Sequence, residues 1–168
     1  MAIFISMAQC EAARWQGSEA RRVKRLEQAH FALAFEGPGY QDPDFYAAQI
    51  WTSALGGGMS SRLFQKVREE RGLCYSIFAQ SGFHDDTGMV TVYAGTSGDQ
   101  VGDLANITID EIRRSAEDMT EAEIARARAQ LKAGLLMGLE SPTGQAERMA
   151  RSLAIWGRVS EPAEVAAR

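Results

Sequence analysis

Three consecutive glycines, Gly56-Gly57-Gly58, separate two amphipathic segments, and no other feature of this 168-residue chain restricts its path as strongly. Glycine is the most costly residue to hold in a helix and the least hindered in a turn, so the run stops one helix and redirects the backbone before the next. The pair Ser60-Ser61 then supplies a helix start. Beyond it Leu63, Phe64 and Val67 fall at the spacing of a buried stripe, leaving Arg62, Lys66 and Glu69 for solvent. Gly72 ends that short helix and delivers Tyr75 to the start of a strand. Such a path brings Arg68, in the last helical turn, together with Tyr75.

The elements on either side follow from periodicity. From Glu27 to Glu36 the alternation predicts a strand with Phe31, Leu33 and Phe35 on one face and His30, Ala32 and Ala34 on the other. The small residues of the second face leave room for a helix or a neighbouring domain. Gly37-Pro38-Gly39 ends the strand. Asp42-Pro43-Asp44 offers an N-cap, a proline at the first helical position and an early acid, predicting a helix that runs to Leu55 and stops at Gly56. Tyr75 to Gly82 and Gly88 to Gly95 read as an antiparallel hairpin joined through His84-Asp85-Asp86-Thr87.

Three helices follow. Val101, Leu104, Ala105, Ile109 and Ile112 mark one from Asp99 to about Ser115. Thr120 with Glu123 forms a capping box for a second, carrying Ile124, Ala127, Leu131 and Leu135 inward. Ser141-Pro142 opens a third, with Ala146, Met149, Leu153 and Trp156 inward. One strand, two helices, a hairpin and three helices specify an α+β fold, a mainly antiparallel sheet with helices packed on one face.

A chain of this length with 45% hydrophobic residues supports a single domain with a real core, expected over residues 25–168, after an irregular leader or linker at residues 1–24. A net charge of −4 gives no electrostatic footprint for nucleic acid, and the cluster Arg21-Arg22-Val23-Lys24-Arg25 reads as a solvated entry to the first strand. Two cysteines, Cys10 and Cys74, make no disulfide framework, which favours a reducing, cytoplasmic setting, with the periplasm as the alternative. Cys74 reads as a small buried apolar residue. The apolar start Met1-Ala2-Ile3-Phe4-Ile5 lacks a basic n-region, and no stretch approaches the length needed to cross a bilayer.

Gly-Gly-Gly-Met-Ser-Ser-Arg-Leu-Phe (residues 56–64) and Arg-Gly-Leu-Cys-Tyr-Ser (residues 71–76), with the order of elements from about Arg25 to about Trp156, resemble the zinc-free second domain of the pitrilysin-type (M16) zinc peptidases, among them mitochondrial processing peptidase and insulin-degrading enzyme. The resemblance implies that Arg68 and, seven positions on, Tyr75 reach across to a zinc-bearing half and contact a peptide near the scissile bond. It also implies that the zinc lies in that partner domain or subunit, and that the domain continues beyond Trp156, so that the chain is shortened at its C-terminus. The family's inverted motif His-x-x-Glu-His is absent here, the histidines being His30, expected at the core edge, and His84, expected in a loop. A catalytic zinc needs three protein ligands and an open position, so the chain alone is expected to be inactive. The resemblance thus leads to the substrate-binding half of a zinc metalloendopeptidase. The alternative is a noncatalytic interaction subunit of the same fold, and a weaker one a free-standing peptide-binding domain.

The chemistry of these residue types suits the first reading. A tyrosine hydroxyl is a neutral donor on a rigid ring, fit to stabilise an oxyanion, and arginine offers a fixed fork of donors to substrate carbonyls. Each residue also has an ordinary explanation. Arg68 stands where the helix dipole favours a cation, Tyr75 can pack as a strand residue, and Arg71 reads as solvent-facing. Gly56, Gly57 and Gly58 admit three readings: a substrate contact, an anion-binding loop lacking the Lys-Ser/Thr of a P-loop, or a tight turn between helices. A weak metal site at His84-Asp85-Asp86 is a further reading.

Overall fold

In a computed structural model, which describes residues 13–14, 16–23 and 26–167, three antiparallel strands form one sheet. They are β1 (Ala29–Gly37), β2 (Ser76–Phe83) and β3 (Gly88–Thr96), in the order β1-β3-β2. The bulky residues of β1 pair across to the small and β-branched ones of β3, Phe31 with Ala94, Leu33 with Val92 and Phe35 with Val90. On the other side Ile77 meets Ala94 and Ala79 meets Val92, so one face is continuously apolar. On the opposite face Ala32, Ala34, Phe78, Gln80 and Met89 are exposed, and no described helix covers them. His30 lies on that open face rather than at the core edge, because the alternation that buries Phe31 turns it outward; its Nδ1 is 2.7 Å from Tyr93 Oη.

Helices cover the apolar face: α1 (Phe45–Gly56), a π-helical turn (Phe64–Glu69) and α2 (Val101–Asp118). Their contribution to the core is Leu55, Leu63, Val67 and Leu104, all fully buried against Ile77, Ala79, Val92 and Ala94. Phe35 meets Trp51 of α1 edge to face, and Trp51 Nε1 donates to Ser115 Oγ of α2 at 3.0 Å. Then come α3 (Glu121–Gly138), α4 (Pro142–Trp156) and α5 (Pro162–Ala167). The capping box at Thr120 and Glu123 forms with both bonds in place, and Ser141 caps α4 with Pro142 at its first turn. The layout is the expected α+β arrangement.

Several local expectations are corrected. The first strand is shifted to Ala29–Gly37. Helix α1 starts at Phe45, because the Asp42 carboxylate accepts from the Asp44 amide at 2.8 Å and so folds a turn there instead of capping a helix at Pro43. Ser61 does not cap by its side chain: its buried hydroxyl donates back to the Gly58 carbonyl at 2.6 Å, closing the turn between α1 and the next segment. Tyr75 stands one residue before β2. Helix α5 has no counterpart in the periodicity argument.

The largest correction concerns α4. Met149 and Leu153, expected inward, are exposed, and so is Ala146, whereas the partly exposed Trp156 does turn its ring toward Tyr40 and Phe45; the side turned inward carries Gly144, Arg148, Ser152 and Ile155. The orientation is fixed by polar anchors. Ser152 Oγ donates to Arg158 O and accepts from Ser160 N, and Arg148 Nη1 donates to Ser160 O at 2.7 Å. In α3 likewise Ala127 is buried while Leu131 is exposed. A cavity of about 440 Å³ is lined by α1, α3, α4 and α5, with Phe45, Ile50, Leu135 and Arg148 among its walls.

The expected leader falls largely outside the described residues, as do Cys10 and the Lys24-Arg25 end of the basic cluster; Arg21, Arg22 and Val23 are exposed. Among the described residues no helix is long and apolar enough to cross a membrane.

Candidate functional site

The Arg68–Tyr75 pair is assembled by a short segment nailed down at both ends. Leu63 and Val67, four apart and both fully buried, anchor the π turn in the core. The turn begins when the Gln65 amide donates to Ser61 O and widens where the Glu70 amide donates to Gln65 O at 2.9 Å. In this i→i+5 geometry residues four apart lie nearly above one another, so Leu63 and Val67 share the core track and Phe64 and Arg68 share the adjacent one. Gly72, at φ +62°, then reverses the chain; its amide bonds Arg68 O and the next amide bonds Val67 O. Only glycine enters that region without steric cost.

Beyond the reversal the connector is held from β3. Thr96 Oγ1 donates to Leu73 O at 2.5 Å, and the Tyr75 amide donates to Gly95 O at 3.3 Å. Cys74 points into the core, where burial pushes its thiol pKa up against the opposing effect of the nearby Arg68 charge. Tyr75 points the other way, 84% exposed. So large a phenol, exposed on a fixed backbone, does not pack against the helices.

Arg68 lies beside it. Its guanidinium carbon is 5.7 Å from the Tyr75 ring centroid and 4.4 Å from that of Phe64, over both rings, while Nη1 is 3.5 Å from Glu69 Oε1. These are cation–π distances. Arg71 is exposed, and it lines a shallow hollow with Glu111 and Arg114 rather than the Tyr75 surface.

Arg62, expected in solvent, is instead the centre of an ion-pair network that sequence spacing does not reveal. Its Nε and Nη2 reach Glu123 at 2.9 and 3.0 Å in a bidentate pair, and Nη1 bonds Asp118. Only 9% of its side chain is exposed. The guanidinium holds the Glu123 carboxyl down at about 2, and Glu123 in turn raises Arg62. This bond ties the segment carrying Arg68 and Tyr75 to the corner between α2 and α3. Its partners lie far along the chain, which is why a charged residue here reads as wet.

The three glycines have separate surroundings. A Cβ at Gly56 would stand 2.4 Å from the Ala79 amide nitrogen, so α1 can cross β2 only with glycine there. Gly57 is exposed with its carbonyl accepting from Gln130 Nε2 at 3.0 Å, and a Cβ on Gly58 would meet the same amide. These contacts belong to a tight turn packed on β2 and α3. His84 is a loop residue, its carbonyl bonded by the Tyr40 amide. Among the described residues no three His, Cys, Asp or Glu side chains converge to hold a metal, so these residues do not fit a zinc ion.

Residues 10–131 match the family described as the peptidase M16 inactive domain. An uncharacterized zinc protease of Rickettsia bellii is 36% identical over 91% of this chain and 37% of its own length. One from Streptomyces coelicolor is 42% identical over 80% of this chain and 29% of its own length. The chain therefore spans about a third of the length of these relatives. Among solved structures, a peptidase M16 inactive domain from Pseudomonas fluorescens superposes with a TM-score of 0.60 at 26% identity, covering 63% of this chain and 26% of that one. A conserved protein from Enterococcus faecalis superposes at 0.73 with 25% identity, over 86% of this chain and 34% of that one. The chain belongs to the peptidase M16 inactive-domain family, the zinc-free part of zinc protease-like proteins.

Proposed function

We propose that this chain is the substrate-binding half of an M16 zinc metalloendopeptidase and completes the active site of a zinc-bearing half during peptide-bond hydrolysis. The observation that carries the proposal is Tyr75, almost wholly exposed and fixed by its backbone, with the Arg68 guanidinium stacked beside it. In the assembled enzyme the Tyr75 hydroxyl donates a hydrogen bond to the carbonyl oxygen as negative charge develops there. A neutral donor already in place needs no reorganisation at the moment of reaction, which is where such groups gain most of their effect. Among the described residues the one carboxylate paired with Arg68 is the loosely held Glu69, and the guanidinium presents its donors to neighbouring peptide carbonyls. The exposed Gly57 and partly exposed Gly58 stand as candidate backbone contacts for the same peptide, whereas Gly56 is closed off against Ala79. β2, which runs on from Tyr75, is an outer strand of the described sheet, and an extended peptide can add to such an edge through backbone bonds alone.

The test is Tyr75→Phe in the assembled enzyme. Removing one oxyanion donor is expected to lower kcat by about 100-fold with zinc content and thermal stability unchanged. Unchanged kcat would remove Tyr75 from the mechanism.

A further inference from the structure

We propose that Phe64 is a positioning residue for Arg68, its ring holding the guanidinium beside Tyr75 from four positions earlier in the same helical turn. The inference rests on the role just proposed for Arg68. An arginine with part of its side chain in solvent has many rotamers open to it, and a donor fork orients a peptide only when most of them are removed. Of the two rings that face the guanidinium, Phe64 is the nearer, at 4.4 Å, with the Tyr75 face at 5.7 Å. Phe64 is itself immobilised, partly buried between the fully buried Leu63 and the turn that Val67 anchors.

The competing partner is Glu69, whose carboxylate lies 3.5 Å from Arg68 Nη1 with half its side chain in water. An exposed pair of adjacent residues is worth little while the ring is present. With the ring gone, only the more distant Tyr75 face, Glu69 and water act on the guanidinium, and the fork gains rotamers that point away from Tyr75. Tyr75 keeps its place in either case, because its amide bond to Gly95 and the Thr96–Leu73 bond behind it do not involve Phe64. Loss of Phe64 should therefore weaken what Arg68 does, substrate positioning, and spare what Tyr75 does in the chemical step.

Two measurements on Phe64→Leu and Phe64→Tyr test this. In the 168-residue chain, the NMR order parameter of the Arg68 Nε–H bond should fall in Phe64→Leu and be retained in Phe64→Tyr, which keeps the aromatic face. In the assembled enzyme, Phe64→Leu should raise KM about three- to tenfold, with kcat held within about twofold and Phe64→Tyr near normal. In an Arg68→Met background Phe64→Leu should add nothing. An unchanged order parameter, or an equal KM penalty with and without Arg68, would overturn the inference, since a merely structural phenylalanine behaves that way. If Arg68→Met alone left KM unchanged, the role proposed for Arg68 would fail, while the order parameter would still report whether Phe64 holds it. Phe64→Met replaces the leucine variant should that chain not fold.

Discussion

The half of the molecule formed by the sheet, α1, the π turn and α2 closes one face of that sheet into a core, whereas α3, α4 and α5 leave much of their apolar surface open. In the first, Leu55, Leu63, Val67, Val92 and Leu104 lose all or nearly all contact with solvent. In the second, Leu136, Met137, Met149 and Leu153 remain exposed, and a cavity lies between α1 and α4. Both regions carry regular apolar periodicity. What differs is how each element is held: interdigitated side chains in the first, end caps and polar anchors such as Ser152 and Arg148 in the second. Periodicity says which side of a helix is apolar; it does not say that the same chain covers that side. The proposed site belongs to the closed half, which gives Tyr75 and Arg68 a rigid base.

Mutations that contrast the halves should separate widely. Leu63→Ala, in the closed half, should cost about 3–5 kcal/mol in urea unfolding, since a fully buried leucine leaves a cavity beneath the π turn. A cost under about 1 kcal/mol would mean that the core is looser than described.

Next in size is the tie between the halves. Arg62→Met should cost about 2–3 kcal/mol, less than a wholly enclosed pair because Asp118 is partly in solvent. The same bond predicts an acid limb. Glu123 has its folded pKa depressed from 4.5 to about 2, so its contribution is fully present above pH 4.5 and is lost as pH falls from there toward 2. Glu123→Gln should flatten unfolding stability across that window; a limb unchanged in the variant would assign it to other carboxylates.

The smallest effect is expected in the open half. Leu153→Ala should change stability by no more than about 0.5 kcal/mol, because that side chain is 56% exposed. A penalty comparable to that of Leu63→Ala would erase the distinction.

What could be read from the sequence divides along the same line. The alternation of β1, the hairpin through His84–Thr87 and the Thr120–Glu123 box depend on neighbours within a few residues, and each forms where the pattern places it, with shifts of one or two positions. Arg68 and Tyr75 meet because Gly72 and the buried Cys74 leave the connector little other course. The π turn leaves no mark in the sequence, because buried residues at i and i+4 suit an α-helix equally well. Arg62 reads as solvent-facing in sequence because the carboxylates that bury it arrive from the α2–α3 corner. The facing of α4 depends on Ser160 and Arg158, which follow the helix and carry no periodic signal.

The role proposed for this chain is to complete a site that it does not itself contain. Its most direct test is hydrolysis of a quenched fluorescent peptide by the chain alone, by a His-x-x-Glu-His-bearing M16 half alone, and by the two mixed, with and without zinc chelation. Activity is expected in the mixture only, abolished by chelation. A mixture shown to have assembled, yet inactive toward a panel of peptides, would contradict it and leave an interaction subunit of the same fold.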